Sequence, residues 1–584
     1  MKDYEYKISV VMPLYNVEQY LVEAVDSIIN QSIGFTDNIQ LILVNDGSQD
    51  ELDKICHIYQ EKFPDNVIYL EQENSGVSSA RNNGLGHVKG KYVTFLDGDD
   101  KWDKDAFKYM YDFIEKYYNS IDFVAARYCF FESKKGFNHT TDYKFTSTRI
   151  VDIAKEYDCV QLSSSSTMIK ADVARKYQFD SKLKYSEDSL YMTQILFEKM
   201  RYGVIREAVY YYRKRASEDS AVDSSYQSLS WYFDTPQYCY DTIFEESKRL
   251  YGEIIPYAQY LIMYDLQWRL KRKVSDNLSI EEKNRYISII YSLINCIDDK
   301  IICEQKHTNI ALKVFALSIK HNKDVSKELR LINDKVYYNN IYLFSVKNDN
   351  RLKIDLLSIE RDILYIEGIL QLHILKDNYS LVICDDCGNP IETELFRDES
   401  EDVVALTGDV ALDGRRFKIK LPLNGRKSVE FYLCSKNGEK IALAPAFIKD
   451  AKLDKKQKSS YYSKDGYIIK KGAAGIRIKS GRFIGSFISE CQYCIRTLIP
   501  NHKFKIAIIR FCALLYKLVR QKPLKIVFCG DEEKAVEIKS LKCKMLVLSA
   551  DGVISSGQND WDSKLFKENL KYVNNMINRI EQIN

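Results

Sequence analysis

Four short apolar runs, Ile8 to Met12, Leu41 to Val44, Val67 to Leu70 and Tyr92 to Leu96, alternate with amphipathic stretches from about Glu18 to Gln31, from Glu51 to Lys62 and around Ala80. No other feature constrains the fold as strongly. A strand reached through a crossover helix lies parallel to its predecessor, so this rhythm predicts an α/β domain with a mostly parallel sheet and helices on both faces. Ligands of such sheets bind beyond the carboxyl ends of the strands, which singles out the polar residues that follow each run.

The chain of 584 residues is too long for a single core. After a first domain over residues 1–225, the apolar residues recur at three-and-four spacing, as in Ile255 to Leu270 and Glu281 to Ile297, which predicts a helical extension over 226–335. The period then becomes two in Ile363 to Ile369, Tyr379 to Cys384 and Val429 to Cys434, predicting a β-sandwich over 340–450. Residues 451–523 form a basic segment. From Lys452 to Lys522 it holds 17 Lys and Arg against three Asp and Glu, and it ends in the apolar-basic stretch Lys503 to Arg520. An amphipathic helix on anionic lipid and a solvated helix packed on a neighbouring domain account for that stretch equally well. Residues 524–584 open with a strand-like KIVFCG and are expected to form a small α/β segment.

A formal net charge of +3 is near balance, so no nucleic-acid partner is expected. Fourteen cysteines without a dense framework read as reduced thiols. The start MKDYEYKISVV lacks the features of a secretory leader, and no apolar stretch reaches the roughly 18 residues of a spanning helix. A cytoplasmic protein is expected, with any membrane contact peripheral and at the inner face.

Two nucleotide-binding devices are excluded. No glycine precedes Gly34, so no glycine-rich turn follows the first strand, and no P-loop pattern occurs. In their place stand carboxylates at strand ends: Asp46 in VNDGSQD, then Asp97, Asp99 and Asp100 in FLDGDD. Hard oxygen ligands of this kind suit Mg or Mn bridging a diphosphate. An Asp-Gly surface turn explains either motif alone just as well.

The order of the surrounding motifs adds what the single motifs lack. VVMPLYN, LVNDGSQD, NSGVSSARNNGL, GKYVTFLDGDD, the SED of Ser186 to Asp188 and YYYRKRASEDSA from Tyr210 follow one another over the first 220 residues. In this the region resembles the inverting family 2 glycosyltransferases of the GT-A fold, of the bacterial cell-surface polysaccharide and teichoic-acid type. The resemblance implies a nucleotide-sugar donor, UDP-linked, and a glycan or polyol-phosphate polymer as acceptor. It implies that Pro13 and Tyr15 line the nucleotide pocket with Asn74, that Asp46 contacts the base, that Arg81 reaches the uridine or diphosphate, and that Asp97 sits by the ribose. Asp99 would hold the divalent metal, Mn or Mg. Asp188 would be the catalytic base and Glu187 would orient the acceptor, while Arg213, Lys214 and Arg215 would stabilise the leaving diphosphate.

Other constellations weigh less. Cys384-x-x-Cys387 and Cys491-x-x-Cys494 fall in different predicted domains without nearby histidines, and ordinary thiols are expected. The segment from KPLKIVFCG to VLSADGVISSGQND resembles the start of CDP-glycerol glycerophosphotransferases, but no histidine follows His502. A non-catalytic scaffold that binds polymer or membrane, and a truncated bifunctional enzyme using CDP-glycerol, are the alternatives. The retained acids at 46, 97, 99 and 188 favour the enzyme.

Overall fold

In the computed structural model the described residues are 4–215, 225–348, 352–360, 362–375, 377–423, 428–436, 438–447, 461–464, 467–472, 474–480, 525–528, 545–549 and 552–556. The apolar runs of the first third become strands: β1 (Tyr6–Leu14), β2 (Ile39–Asp46), β3 (Val67–Gln72) and β4 (Gly90–Phe95). Between them run α1 (Glu18–Ile29), the single turn α2 (Phe35–Asn38), α3 (Leu52–Lys62) and α4 (Val77–Gly86). All four strands pair in parallel, in the order β3-β2-β1-β4. The chain builds outward from β1 to β3 and then returns to the other side of β1, so the order switches between β1 and β4. In doubly wound sheets such a switch opens a crevice at the strands' carboxyl ends.

Beyond Phe95 the sheet becomes mixed. The two-residue β5 (Lys101–Trp102) and α5 (Ala106–Lys116) are followed by β6 (Phe123–Glu132), β7 (Arg149–Asp152), β8 (Thr167–Lys170), the single turn α6 (Ala171–Ala174), α7 (Glu187–Lys199) and β9 (Arg201–Lys214). The full order is β3-β2-β1-β4-β8-β6-β9-β5, with β7 on β9. Strand β8 lies antiparallel to both neighbours, β4 and β6. The expected parallel sheet therefore holds for its first four strands, and the short antiparallel β8 separates them from the rest.

One glycine sets how closely a functional helix approaches the sheet. A Cβ on Gly84 would come within 2.4 Å of Val11 Cγ1 and 3.3 Å of Val44 Cγ2. Its absence lets α4 lie down on β1 and β2, which places Arg81, one turn earlier on the same helix, against the carboxyl end of the sheet.

The helices of the next region include Asp241–Tyr251, Pro256–Leu270, Ile280–Asn295 and Ile310–His321. Ser279 caps the third through a reciprocal pair with Glu282. This region packs on the loops before β8 and α7: Tyr257 Oη accepts from the Gln161 amide at 3.2 Å, and Cys239 Sγ, in the turn before Asp241–Tyr251, reaches the Ser186 carbonyl at 3.6 Å. The described residues of 1–345 with 399–414 make one compact unit, and those of 346–398 with 415–584 a second. The second holds a five-stranded sheet around Ile363–Leu370 and a six-stranded sheet around Ser428–Ser435. Phe417 of one meets Phe431 of the other with ring centroids 5.9 Å apart.

The strands Tyr461–Lys464, Tyr467–Lys471 and Gly475–Ser480, from the basic segment, join the six-stranded sheet. The stretch Lys503 to Arg520 and Cys491-x-x-Cys494 lie outside the described residues. Of residues 524–584, the strands Lys525–Phe528, Met545–Ser549 and Gly552–Ser556 form one small sheet. Among the described residues nine cysteines are free thiols, Cys384 and Cys387 included, and no helix is long and apolar enough to cross a membrane.

Candidate active site

The loops that follow β1, β2 and β3 are laced together at the crevice. Asp46, at the end of β2 and only 3% exposed, accepts hydrogen bonds on Oδ1 from Gln72 Nε2 and the Ser75 amide, each at 2.8 Å, and on Oδ2 from the Gly76 amide at 2.9 Å. It thus fixes the 73–76 loop that presents the exposed Asn74. Gly47 follows in a left-handed conformation at φ +72°, and a Cβ there would lie 2.8 Å from the Asn74 amide nitrogen, so only glycine allows this approach. Asn16 binds the loop after β2 twice, through its amide to Ser48 Oγ at 3.1 Å and through Oδ1 from the Gln49 amide at 2.8 Å. Pro13 is half-buried at the end of β1, and Tyr15 is 48% exposed.

After β4 the acids of FLDGDD take separate roles. Asp100 is buried and accepts from Tyr210 Oη at 2.9 Å and from the Arg213 amide at 2.7 Å, which ties this turn to β9. Burial, with Asp99 and Asp97 adding negative charge, raises its carboxyl well above the usual range. Asp99 is raised as well, by burial and then by Asp97. Its Oδ2 accepts from Arg215 Nη2 at 2.6 Å. Arg213 is enclosed: Nε donates to the Asp99 carbonyl at 2.7 Å and Nη1 to Glu132 at 2.9 Å, Nη2 pairs with Glu23, and the guanidinium lies between Phe131 and Tyr20. The carbonyl of Lys214 accepts from the Ser133 hydroxyl.

The third group centres on Arg81, which is 3% exposed. Its Nη2 pairs with Asp97 Oδ1 at 3.0 Å, and its Nη1 with Glu187 Oε1 at 2.9 Å and Asp188 Oδ1 at 3.0 Å. One guanidinium fork therefore joins the turn after β4 to the first turn of α7, a geometry that a single ammonium could not supply. Ser186, the residue before α7, adopts a left-handed conformation at φ +67°, which a non-glycine residue holds only at a cost of about 1–3 kcal/mol. That backbone presents Glu187 and Asp188 side by side at the helix start.

Arg81, Asp97, Glu187 and Asp188 thus form one ion-paired cluster; Asp99 is ion-paired to Arg215 and bound through its carbonyl to Arg213; and Asp46 holds the loop that carries Asn74. Motif order does not mark Ser163, Ser164 and Ser165, which also belong here, and it gives no role to Tyr210, the first residue of the last motif. The three serines donate to Asp188 and Asp97, and Tyr210 Oη meets both Asp100 and the Asp97 amide. The one sequence signal is a run of four serines directly before a strand.

Burial, reinforced by the neighbouring Asp188, raises Glu187 from 4.5 to about 7 despite Arg81. A carboxyl whose folded-state value is raised keeps its proton where the unfolded chain has released it, so stability falls as pH climbs from about 4.5 through about 7. Glu187→Gln cannot titrate. Its melting temperature relative to the unmodified chain is expected to improve between pH 5 and pH 8, as thermal denaturation at several pH values would show. A constant difference across that range would contradict the buried, raised carboxyl.

The model of glycosyl transferase family 2 matches residues 9–177, which covers the first two acid motifs and stops short of Glu187. The minor teichoic acid biosynthesis protein GgaB of Bacillus subtilis (strain 168) is 32% identical over 501 residues, 84% of this chain and 55% of GgaB. GgaA of the same organism, also a minor teichoic acid biosynthesis protein, is 33% identical over 307 residues, 51% of this chain and 68% of GgaA. The chain thus spans little more than half the length of GgaB. The crystal structure of S. aureus TarS aligns with a TM-score of 0.49 at 16% identity, over 82% of this chain and 86% of that one.

Proposed function

The chain belongs to glycosyl transferase family 2, and from that premise we propose that it transfers a sugar from a UDP-linked donor to a hydroxyl of a teichoic-acid-like polyol-phosphate or glycan polymer, with inversion at the anomeric carbon. The observation that carries this reading is the Arg81 fork, which holds the donor-side acid Asp97 and the Glu187–Asp188 pair in one crevice at the sheet's switch point. The juxtaposition of a donor arm and a base is what a single displacement requires. The names of GgaB and GgaA support the acceptor class.

Asp188 acts as general base, taking the proton from the acceptor hydroxyl as that oxygen attacks the anomeric carbon from the face opposite the leaving diphosphate. Glu187 orients the acceptor. Pro13, Tyr15, Asp46 and Asn74 form the nucleotide side, with Asp97 towards the ribose and Arg81 behind it. Arg215, on Asp99, supplies positive charge next to the diphosphate, while Arg213, paired with Glu23 and Glu132, anchors the turn from β9.

A divalent cation fits the turn after β4. Burial first, and then the neighbouring acids, raise the carboxyls of Asp99 and Asp100; the added negative charge is what a cation relieves, and the Arg215 guanidinium already sits on Asp99 Oδ2. Asp99 would hold the ion, which when bound neutralises charge building on the leaving diphosphate.

The test is nucleoside diphosphate release from UDP-, GDP- and CDP-linked donors in the presence of a polyol-phosphate acceptor, with Mn or with chelator. Release of UDP that chelator abolishes is the expected result. Undiminished release in chelator would remove the metal, and release from a CDP-linked donor alone would favour the bifunctional alternative.

A further inference from the structure

Gln161 to Ser166 reads as a solvated loop by composition, yet Ser164, Ser165 and Ser166 are 0%, 2% and 1% exposed. A buried hydroxyl needs an acceptor. Here the acceptors are carboxylates on two different arms of the crevice. Ser164 Oγ donates to Asp188 Oδ1 at 2.6 Å, Ser163 Oγ to Asp188 Oδ2 at 3.3 Å, and Ser165 Oγ to Asp97 Oδ2 at 2.9 Å.

The backbone keeps these directions apart. The Ser165 amide donates to Ser163 Oγ at 3.2 Å, and the Thr167 amide and hydroxyl both return to the Ser164 carbonyl, at 3.1 and 2.7 Å. The chain therefore turns between Ser164 and Thr167, and consecutive hydroxyls face different acids. Arg81 already joins the same two acids through Asp188 Oδ1 and Asp97 Oδ1. Each carboxylate is thereby held through both of its oxygens. The terminal torsion of an aspartate is otherwise broad, so these donors set the plane in which each carboxylate faces the crevice.

We propose that Ser163 to Ser165 are positioning residues with divided labour: Ser164, assisted by Ser163, aims the base Asp188, and Ser165 aims the donor-side Asp97. The inference rests on the proposed roles of those two acids. It makes a distinction that simple packing of a buried loop does not. Loss of the Ser164 hydroxyl acts on the proton-transfer step, whereas loss of the Ser165 hydroxyl acts on donor binding.

The experiment compares Ser164→Ala, Ser165→Ala and Ser164→Thr in the full chain, by steady-state UDP release from a UDP-linked sugar and by calorimetric binding of UDP with Mn. Removing one hydrogen bond to a charged group is worth on the order of tenfold. Ser164→Ala is expected to lower kcat by about that factor with the donor KM and the UDP affinity nearly unchanged. Ser165→Ala is expected to weaken UDP binding and raise the donor KM by roughly fivefold while kcat stays within about twofold. Ser164→Thr, which keeps the hydroxyl, retains most of kcat. Parallel changes of kcat and KM in both alanine variants, following their melting temperatures, would overturn the proposal, as would no change in either. A wild-type chain that binds UDP without turning over any donor would count against the proposed function instead, and the contrast in UDP affinity between the two variants would still decide this inference.

Discussion

Replacing Arg81 by methionine is expected to destabilise the first unit by about 3–5 kcal/mol, the cost of leaving buried charges without their partner. The side chain is almost fully enclosed and neutralises Asp97, Glu187 and Asp188 together. Without it, three carboxylates face one another with no guanidinium between them, and either one of them binds a proton or the α7 start moves away. For a unit of this size the loss corresponds to a fall in melting temperature on the order of 10 °C. The sign with pH follows from Glu187, whose carboxyl is raised to about 7: the deficit is largest at pH 8, where that acid is charged, and shrinks as it takes up a proton on acidification. Arg81→Lys should recover little, because one ammonium cannot serve three carboxylates from two elements. Differential scanning calorimetry of both variants between pH 5 and pH 8 checks this. A melting temperature within about 2 °C of the unmodified chain throughout would show that the cluster does not depend on Arg81.

The same cluster shows how far the sequence could be read. The acids after β2 and β4 stand out because a strand of apolar residues ends on them, and the parallel sheet follows from strand and helix alternation that spans only neighbouring residues. The pairings do not. Arg81 meets Glu187 and Asp188 across 106 and 107 positions, and nothing in the spacing of those motifs says that one guanidinium joins them. Strand β8 has four residues, too few to display a period, so the switch to a mixed sheet leaves no pattern to find. The serines before it carry no signal for a chemical reason: hydroxyls are common in exposed loops, and only the carboxylates opposite explain their burial. Asp100 reads like its neighbours in FLDGDD, yet it is enclosed and binds β9, so three acids in one short motif carry separate tasks.

Asp188→Asn is expected to lower kcat by on the order of 10²–10⁴-fold while UDP affinity stays within a few-fold. The amide has the shape of the carboxylate and can still accept from Ser164, so α7 keeps its start, but it cannot take a proton from an attacking hydroxyl. Donor affinity is retained because Asp46, Asp97 and Asp99 lie on other elements, at the ends of β2 and β4. Glu187→Gln is the necessary comparison, since both acids share Arg81 Nη1 and either could in principle serve as base. If Asp188 is the base, the Glu187 variant loses far less kcat and its effect falls on the acceptor KM. The reverse ranking in single-turnover transfer would move the base to Glu187, whose carboxyl, raised to about 7, would then be half-ionised near neutral pH. Equal, small losses in both variants would mean that neither acid takes the proton and would remove the general-base step from this crevice altogether.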